Sequence, residues 1–361
     1  MKRLVSSMLV SACTVTGFVT AGMGEASAAD GLVLARNAAQ KFAELPAGVR
    51  FPEGITANPA NGDIYVATFD FGPNPNKLIR LAANGKVLAS RDFGATPMLG
   101  LEFGPGDKKV YIANFGASKI QRVRADLGGA VEDVAMVPGI GAPADRAVGN
   151  PDGSADTIKF GSNSFPAPNA MTFDKRGNLY VSDSFQGAIW RIDSAQTCST
   201  PCPTTLVAHD PLLATAGFPP FGANGLAFGK DEQTLFVANT GDDRVLALDL
   251  LSGTVSMFAE SINGADGIVF DSSGRLWVAA NQADEIVALN EKGRVIARLG
   301  EFQGINRDGT PNGLLFPASV VIVGDHMFVT NLALPLTTEA GDEPEEDVTR
   351  YTVSRIKLPN R

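Results

Sequence analysis

Histidine is almost missing from this chain: 361 residues include two, His209 and His326. A histidine dyad beside a reacting group is therefore excluded. His326 stands in a short turn, VGDHMF, where a structural role is expected. Only His209, which follows a run read as a fourth strand, is placed to reach a ligand. Cysteine is nearly as scarce, with three residues. For Cys198 and Cys202, in CSTPC, no histidine or further cysteine stands near enough to complete a zinc set. Three residues between the sulfurs instead of two exclude the redox motif. A disulfide across the bend is the expectation. Positive charge is also short, 30 Lys and Arg against 39 Asp and Glu, for a formal charge of −9. With no basic stripe, nucleic acid and anionic lipid are excluded as partners.

A long apolar run occurs at the N-terminus, from Leu4 to Met23, behind Met1-Lys2-Arg3 and ahead of Ala26-Ser27-Ala28. This pattern predicts a secretory signal peptide, residues 1–28, cut after Ala28, and a periplasmic or extracellular mature chain. Gly17, Gly22 and several Ser and Thr dilute the run, so no membrane span is expected. Within it Val10-Ser11-Ala12-Cys13 resembles a lipobox, which would lipidate Cys13 instead. Loss of Lys2, Arg3 and Glu25, net +1, takes the charge from −9 to −10. Residues 29–361 read as a single domain. The Pro- and Gly-rich stretch Val137 to Phe165 is an insertion rather than a linker. The acidic run Glu339 to Asp347 reads as a solvated loop, and a second calcium site there has no EF-hand spacing to support it.

What the chain has in abundance is a repeated unit. Gly264 to Leu289, GADGIVFDSSGRLWVAANQADEIVAL, packs three short apolar runs around a tight turn and a polar bend, an antiparallel meander. Five more segments align with it: PEGITANPANGDIYVATF from Pro52, LGLEFGPGDKKVYIANF from Leu99, PNAMTFDKRGNLYVSDS from Pro168, ANGLAFGKDEQTLFVANT from Ala223 and PASVVIVGDHMFVTN from Pro317. A third strand follows in KIQRV, AIWRI, RVLAL and EIVAL, and a fourth in VIARL. Units of roughly 40 to 45 residues with four strands are the spacing of propeller blades. The predicted fold is all-β, a six-bladed β-propeller with four antiparallel strands per blade. The sixth unit lacks a fourth strand of its own, so the segment around Gln40 to Leu45 is expected to supply it and close the ring.

Turns between the first two strands stay short in every unit, whereas long connections such as Phe69 to Asn76, Val137 to Phe165, His209 to Gly222 and Leu332 to Asp347 all fall at the opposite end. The functional face is expected where the first strands start. The residues starting those strands are, in order, Glu53, Leu99, Asn169, Asn224, Asp266 and Ala318. Innermost strands converge on the axis, so Glu53, Asn169, Asn224 and Asp266 can point at one centre. Two carboxylates and two amides form a hard-oxygen set suited to Ca²⁺, less to Mg²⁺, which keeps more of its waters. Asn114, Asn239, Asn281 and Asn331 end the second strands of other units, where they either line a pocket or cap turns.

The anchors PEG, PNAMTF, ANGLAF and ADGIVF resemble those of gluconolactonase/regucalcin-like six-bladed propellers, related to diisopropyl fluorophosphatase and paraoxonase. The resemblance covers roughly Phe51 to Ile356. It implies that Glu53, Asn224 and Asp266, with Asn169 as an additional amide, hold a catalytic divalent ion, and that the chain hydrolyses a lactone or ester as a small-molecule substrate. The expected base is Asp266, with Asp183 at the end of YVSDS as runner-up, and direct attack by Asp266 is not separated from base catalysis. The competing expectation is a non-catalytic NHL-like propeller that binds a ligand or protein on its loop face. The oligomeric state is not readable.

Overall fold

In each blade the second strand is buried on both faces, and this is what makes the sheets stack. Along Ile64–Thr68, Ile64 and Val66 join one apolar cluster with Phe328 and Val353, while Tyr65 and Ala67 join another with Val110 and Ile112. Successive side chains of a strand point to opposite faces, so one apolar run of period two supplies two interfaces. The pattern repeats around the ring: Tyr111 and Ala113 meet Leu179 and Val181, Tyr180 meets Leu235 and Val237, Ala238 meets Leu276 and Val278, and Trp277 and Ala279 meet Met327 and Val329. Six clusters between six sheets replace the single core that a chain of this length could not fill.

The computed structural model describes residues 32, 38–160, 165–300 and 302–359. The signal-peptide reading of residues 1–28 and the lipobox cysteine lie outside them. Six four-stranded antiparallel sheets form the blades, and the described residues contain no α-helix. None of their helices is long and apolar enough to cross a membrane. The inner strands are Pro52–Ala57, Leu101–Phe103, Pro168–Phe173, Ala223–Phe228, Ala265–Phe270 and Pro317–Val323. The last blade takes its outer strand from the N-terminal side of the chain: Ala39–Glu44 pairs antiparallel with Thr352–Lys357, in the register Ala39 to Ile356. The closing strand thus lies where the missing edge required it.

Two features differ from the sequence reading. The insertion before the third blade carries its own exposed hairpin, Arg146–Gly149 with Ala155–Ile158, around the turn at Asp152-Gly153. The inner strand of the second blade begins at Leu101 instead of Leu99; ahead of it Leu99 N–H donates to Ala113 O, Ala113 N–H to Gly100 O, and Gly100 N–H to Asn169 O of the next blade. The predicted disulfide is present, Cys198 to Cys202, with Cα atoms 5.7 Å apart. Its bend docks on the neighbouring blade through Cys202 N–H to Val134 O, 2.7 Å.

Removal of residues through Leu45 would uncover the Thr352–Lys357 edge and the apolar groups Ala43 and Leu45 sit on. The truncated protein is expected to melt lower and to self-associate. Calorimetry and light scattering check this; a monomer with unchanged melting temperature would show that the closing strand holds nothing together.

Candidate metal centre

Five of the six inner strands contain one extra residue relative to their neighbour. Pro52 pairs with Thr68 and Ile55 with Val66, and the same slip separates Pro168 from Met171, Ala223 from Leu226, Ala265 from Ile268 and Pro317 from Val320. The bulged positions are Glu53-Gly54, Asn169-Ala170, Asn224-Gly225, Asp266-Gly267 and Ala318-Ser319. A bulge frees its residues from the ladder and re-aims a side chain. That is why residues at the strand start face the axis.

The second bulge residue must be small, because adjacent inner strands touch there backbone to backbone. A Cβ on Gly54 would overlap the carbonyl oxygen of Leu99, and one on Gly225 that of Asp266. The peptides of Asn169 and Asp266 are thereby seated against Gly100 and Gly225 of the preceding blades, whereas the blades preceding Asn224 and Glu53 carry Ala170 and Ser319 at that point.

Glu53, Asn169, Asn224 and Asp266 are all at least 95 % buried and line one cavity of about 410 Å³ at the loop end of the tunnel. Hydroxyls one residue past two of the second strands set the orientation of the two asparagines. Ser184 Oγ donates to Ala223 O at 2.7 Å, so it can only accept from the Asn169 amide, Nδ2 at 2.9 Å. Thr240 Oγ1 donates to Ala265 O at 2.8 Å and accepts from Asn224 Nδ2 at 2.9 Å. With each amide nitrogen turned to a hydroxyl, each amide oxygen faces the centre. Asn281 Nδ2 donates to Asp266 Oδ2 at 3.0 Å, leaving Oδ1 free.

The outcome is a group of buried oxygens that accept no hydrogen bond from the protein: Glu53 Oε2, Asn169 Oδ1, Asp266 Oδ1 and Asn281 Oδ1. Buried acceptors are normally satisfied, and no Lys or Arg lines the cavity among the described residues. Burial, and secondarily the charge of Asp266, pushes Glu53 well above the usual carboxylate range. Burial likewise pushes Asp266 up to about 7, partly offset by the amides of Asn281 and Asn224. A divalent cation would satisfy Glu53 Oε2, Asn169 Oδ1 and Asp266 Oδ1 and balance both carboxylates, whereas Asn281 Oδ1 lies against Gly264. The donors contain neither nitrogen nor sulfur, a set that fits calcium.

Asp183, the runner-up base, is not brought to this cavity. Its Oδ1 accepts from Ala167 N at 3.0 Å and Gln186 N at 3.2 Å, and its Oδ2 from Gln186 Nε2 at 2.6 Å. It is fully buried and organises the loop beside it, so its position corrects the role suggested by its place at a strand end. His209 is exposed and is not part of the cavity, and His326 pairs with Asp325 at 2.6 Å. Of the four strand-ending asparagines, three tie loops: Asn114 accepts from Ala117 N, Asn239 donates to Leu212 O and Ala214 O, and Asn331 accepts from Leu315 N and donates to Gly313 O. Only Asn281 reaches the centre. Ser184 and Thr240 escaped the sequence reading; a hydroxyl one residue past the second strand, repeated in two blades, was the available signal.

The carboxylates Asp342, Glu343 and Glu346 approach one another within 4.8 Å on the surface. They already accept from Leu336 N, Gly341 N and the Thr337 hydroxyl, and so shape their loop. A larger cavity of about 680 Å³ opens at the opposite end of the tunnel, where Glu102, pushed up to about 8 by burial, stands among mostly apolar side chains. It has no comparable cluster of oxygens among the described residues, so the smaller cavity is the candidate site.

Residues 219–300, which include Asn224 and Asp266, match the family model described as SMP-30/Gluconolactonase/LRE-like region. A curated relative, Lactonase drp35 of Staphylococcus saprophyticus, is 27 % identical over 142 residues, 35 % of this chain and 40 % of its own length. Among solved structures, a luciferin-regenerating enzyme superposes with a TM-score of 0.59 at 14 % identity, covering 87 % of this chain and 94 % of its own. A calcium-binding protein, regucalcin, from Agrobacterium tumefaciens superposes with 0.56 at 16 % identity, covering 88 % and 96 %. These structural likenesses are of fold. The resemblance to gluconolactonase/regucalcin-like six-bladed propellers holds.

Gly225→Ala is expected to displace the Asp266 peptide. Overpacking of this kind costs about 1–3 kcal/mol, and calcium affinity should fall with it. Denaturant melts and calcium titration of the variant check both; an unchanged affinity would mean that the axial contact does not position Asp266.

Proposed function

We propose that this chain is an exported, calcium-dependent hydrolase that opens a lactone or ester in the loop-end cavity. The observation that carries the reading is the group of buried oxygens without hydrogen bonds at the cavity floor, in a site that contains two carboxylates and no cationic side chain. The relative named as a lactonase and the neighbour named as calcium-binding agree with it. The signal-peptide pattern supports export, and so does a disulfide, which persists in oxidising compartments.

Glu53, Asn169, Asn224 and Asp266 would hold the ion. When bound, it polarises the substrate carbonyl and stabilises the charge that develops on its oxygen. Asp266 is the residue placed to move a proton. Asn281 holds one of its oxygens, and the other accepts no hydrogen bond from the protein and would be shared between the ion and the proton of the attacking water. Water oxygen bonds to the carbonyl carbon while Asp266 takes the water's proton. The carbon–oxygen bond to the leaving alkoxide then breaks, and the proton passes to that alkoxide, giving a hydroxy acid from a lactone or an acid and an alcohol from an ester.

Asp266→Asn keeps an amide oxygen for the ion and removes the proton acceptor. It is expected to retain the fold and most of the metal and to lose turnover by roughly 10² to 10⁴, measured on a panel of lactones and aryl esters with metal content checked by elemental analysis. If the metal-loaded wild type hydrolyses none of the panel, the hydrolase reading fails and a non-catalytic propeller remains.

The carboxylates also set a pH dependence. Asp266 and Glu53 lie above their unfolded values in the metal-free protein, so they contribute stability at low pH that is lost as pH rises through about 7 for Asp266. Calcium binds the deprotonated pair. The rise in melting temperature on adding calcium to chelated protein should therefore be larger at pH 8 than at pH 5, and an equal rise at both would contradict ligation by these groups.

A further inference from the structure

Above its oxygen floor the cavity changes character. Among the described residues, the polar ones that line it, Glu53, Asn169, Asn224, Thr240, Asp266 and Asn281, all belong to the floor or bond directly to it. The walls are phenylalanine. Ring centroids run 4.8 Å from Phe71 to Phe69, 5.3 Å to Phe115 and 5.6 Å to Phe185, which in turn stands 5.0 Å from Phe165 and 5.3 Å from Phe221, mostly edge to face. Leu332, Leu334 and Leu336 complete the opposite side.

This wall is built, not a collapse of loose loops. The turn carrying Phe69 and Phe71 is pinned by Asp70, 2 % exposed, which takes both Arg50 Nε and an Arg50 terminal nitrogen at 2.9 Å, and by Asn76, which bonds both the amide and the carbonyl of Asp70. Phe115 begins a turn capped by Asn114. Phe185 lies between Ser184 and Gln186, inside the loop that Asp183 gathers, and Gln186 anchors the long insertion through Ile140 N and Gly141 N. At the rim Phe71 is 68 % and Phe218 59 % exposed. Exposed aromatics around the mouth of a cavity mark a surface that a ligand covers.

We propose that the substrate carries an alkyl chain or aryl ring next to its scissile carbonyl and is not a polyhydroxylated lactone. This rests on the hydrolase reading for the scissile group alone; the walls select the apolar part whatever the chemistry. Hydroxyls of a polyol would enter a space where the described residues above the floor offer no polar side chain, and each one left unpaired weakens binding by roughly tenfold. Each methylene laid against the wall strengthens it by about fourfold.

The test separates binding from turnover. Calcium-loaded protein is titrated by calorimetry with 6-methyl-, 6-propyl- and 6-pentyl-2-piperidinone, lactams that stand in for lactones and resist hydrolysis. Hydrolysis of the corresponding δ-lactones and of D-glucono-δ-lactone is followed at constant pH. Lactam affinity is expected to rise by about fourfold per methylene, and the rise should shrink in a Phe71→Ser/Phe218→Ser double variant. Both positions are exposed, so the fold should survive, which its melting temperature and calcium content verify. A flat lactam series in the wild type, or a series unchanged in the variant, overturns the proposal. So does hydrolysis of the gluconolactone as fast as the pentyl lactone, an outcome that leaves the hydrolase reading standing. Chain-length-dependent lactam binding without hydrolysis of any lactone supports the apolar pocket and removes the hydrolase reading instead.

Discussion

Backbone contact between inner strands at the propeller axis governs the rest of this structure. Where Gly54 meets Leu99 O and Gly225 meets Asp266 O, no side chain separates neighbouring blades. Such an approach is open only to residues without a Cβ. It brings strands from different blades close enough for side chains at their starts to share one centre. The bulge in five of these strands is part of the same arrangement: in three of them the extra residue turns Glu53, Asn224 or Asp266 inward while the glycine behind it admits the neighbour.

From this contact the electrostatics of the floor follow. Crowding four oxygen-bearing side chains into a buried space would ordinarily be resolved by internal hydrogen bonds. Ser184 and Thr240 prevent that by taking the amide nitrogens, and they can do so because each hydroxyl already donates to the inner strand of the next blade. Thr330, inside its second strand, also donates to an inner strand, to Glu53 O across the closure of the ring. Ser184 and Thr240 thus both join blades and point amide oxygens inward. Burial then raises both carboxylates, a situation that a divalent cation would relieve.

The two ends of the tunnel diverge for a topological reason. In an up-and-down blade the connections between blades, and those between second and third strands, emerge together, so insertions accumulate at one end. Here they carry phenylalanines and the buried polar anchors Asp70, Asn76 and Asp183 that hold them. Asp183 shows how the scaffold assigns roles: at a strand end equivalent to those of Asn114 and Asn239, it serves the loop rather than the cavity.

Six blades, their strand order, the need for a closing strand near Gln40 and the disulfide were legible in the sequence, because each rests on a local signal: alternation of period two, turn residues and short cysteine spacing. The shared register of Glu53, Asn169, Asn224 and Asp266 was legible for the same reason, since repeats place equivalent residues at equivalent depths. What only the tertiary structure decided is where each polar group points. Asp183 turns back toward Ala167 and Gln186, Asn281 alone among its equivalents reaches Asp266, and hydroxyls of one blade orient amides whose oxygens meet those of others. The phenylalanine wall likewise draws on loops that are distant in sequence, from Phe69 to Phe221. These contacts join residues whose separation is set by ring closure, and no local pattern encodes which of them will meet.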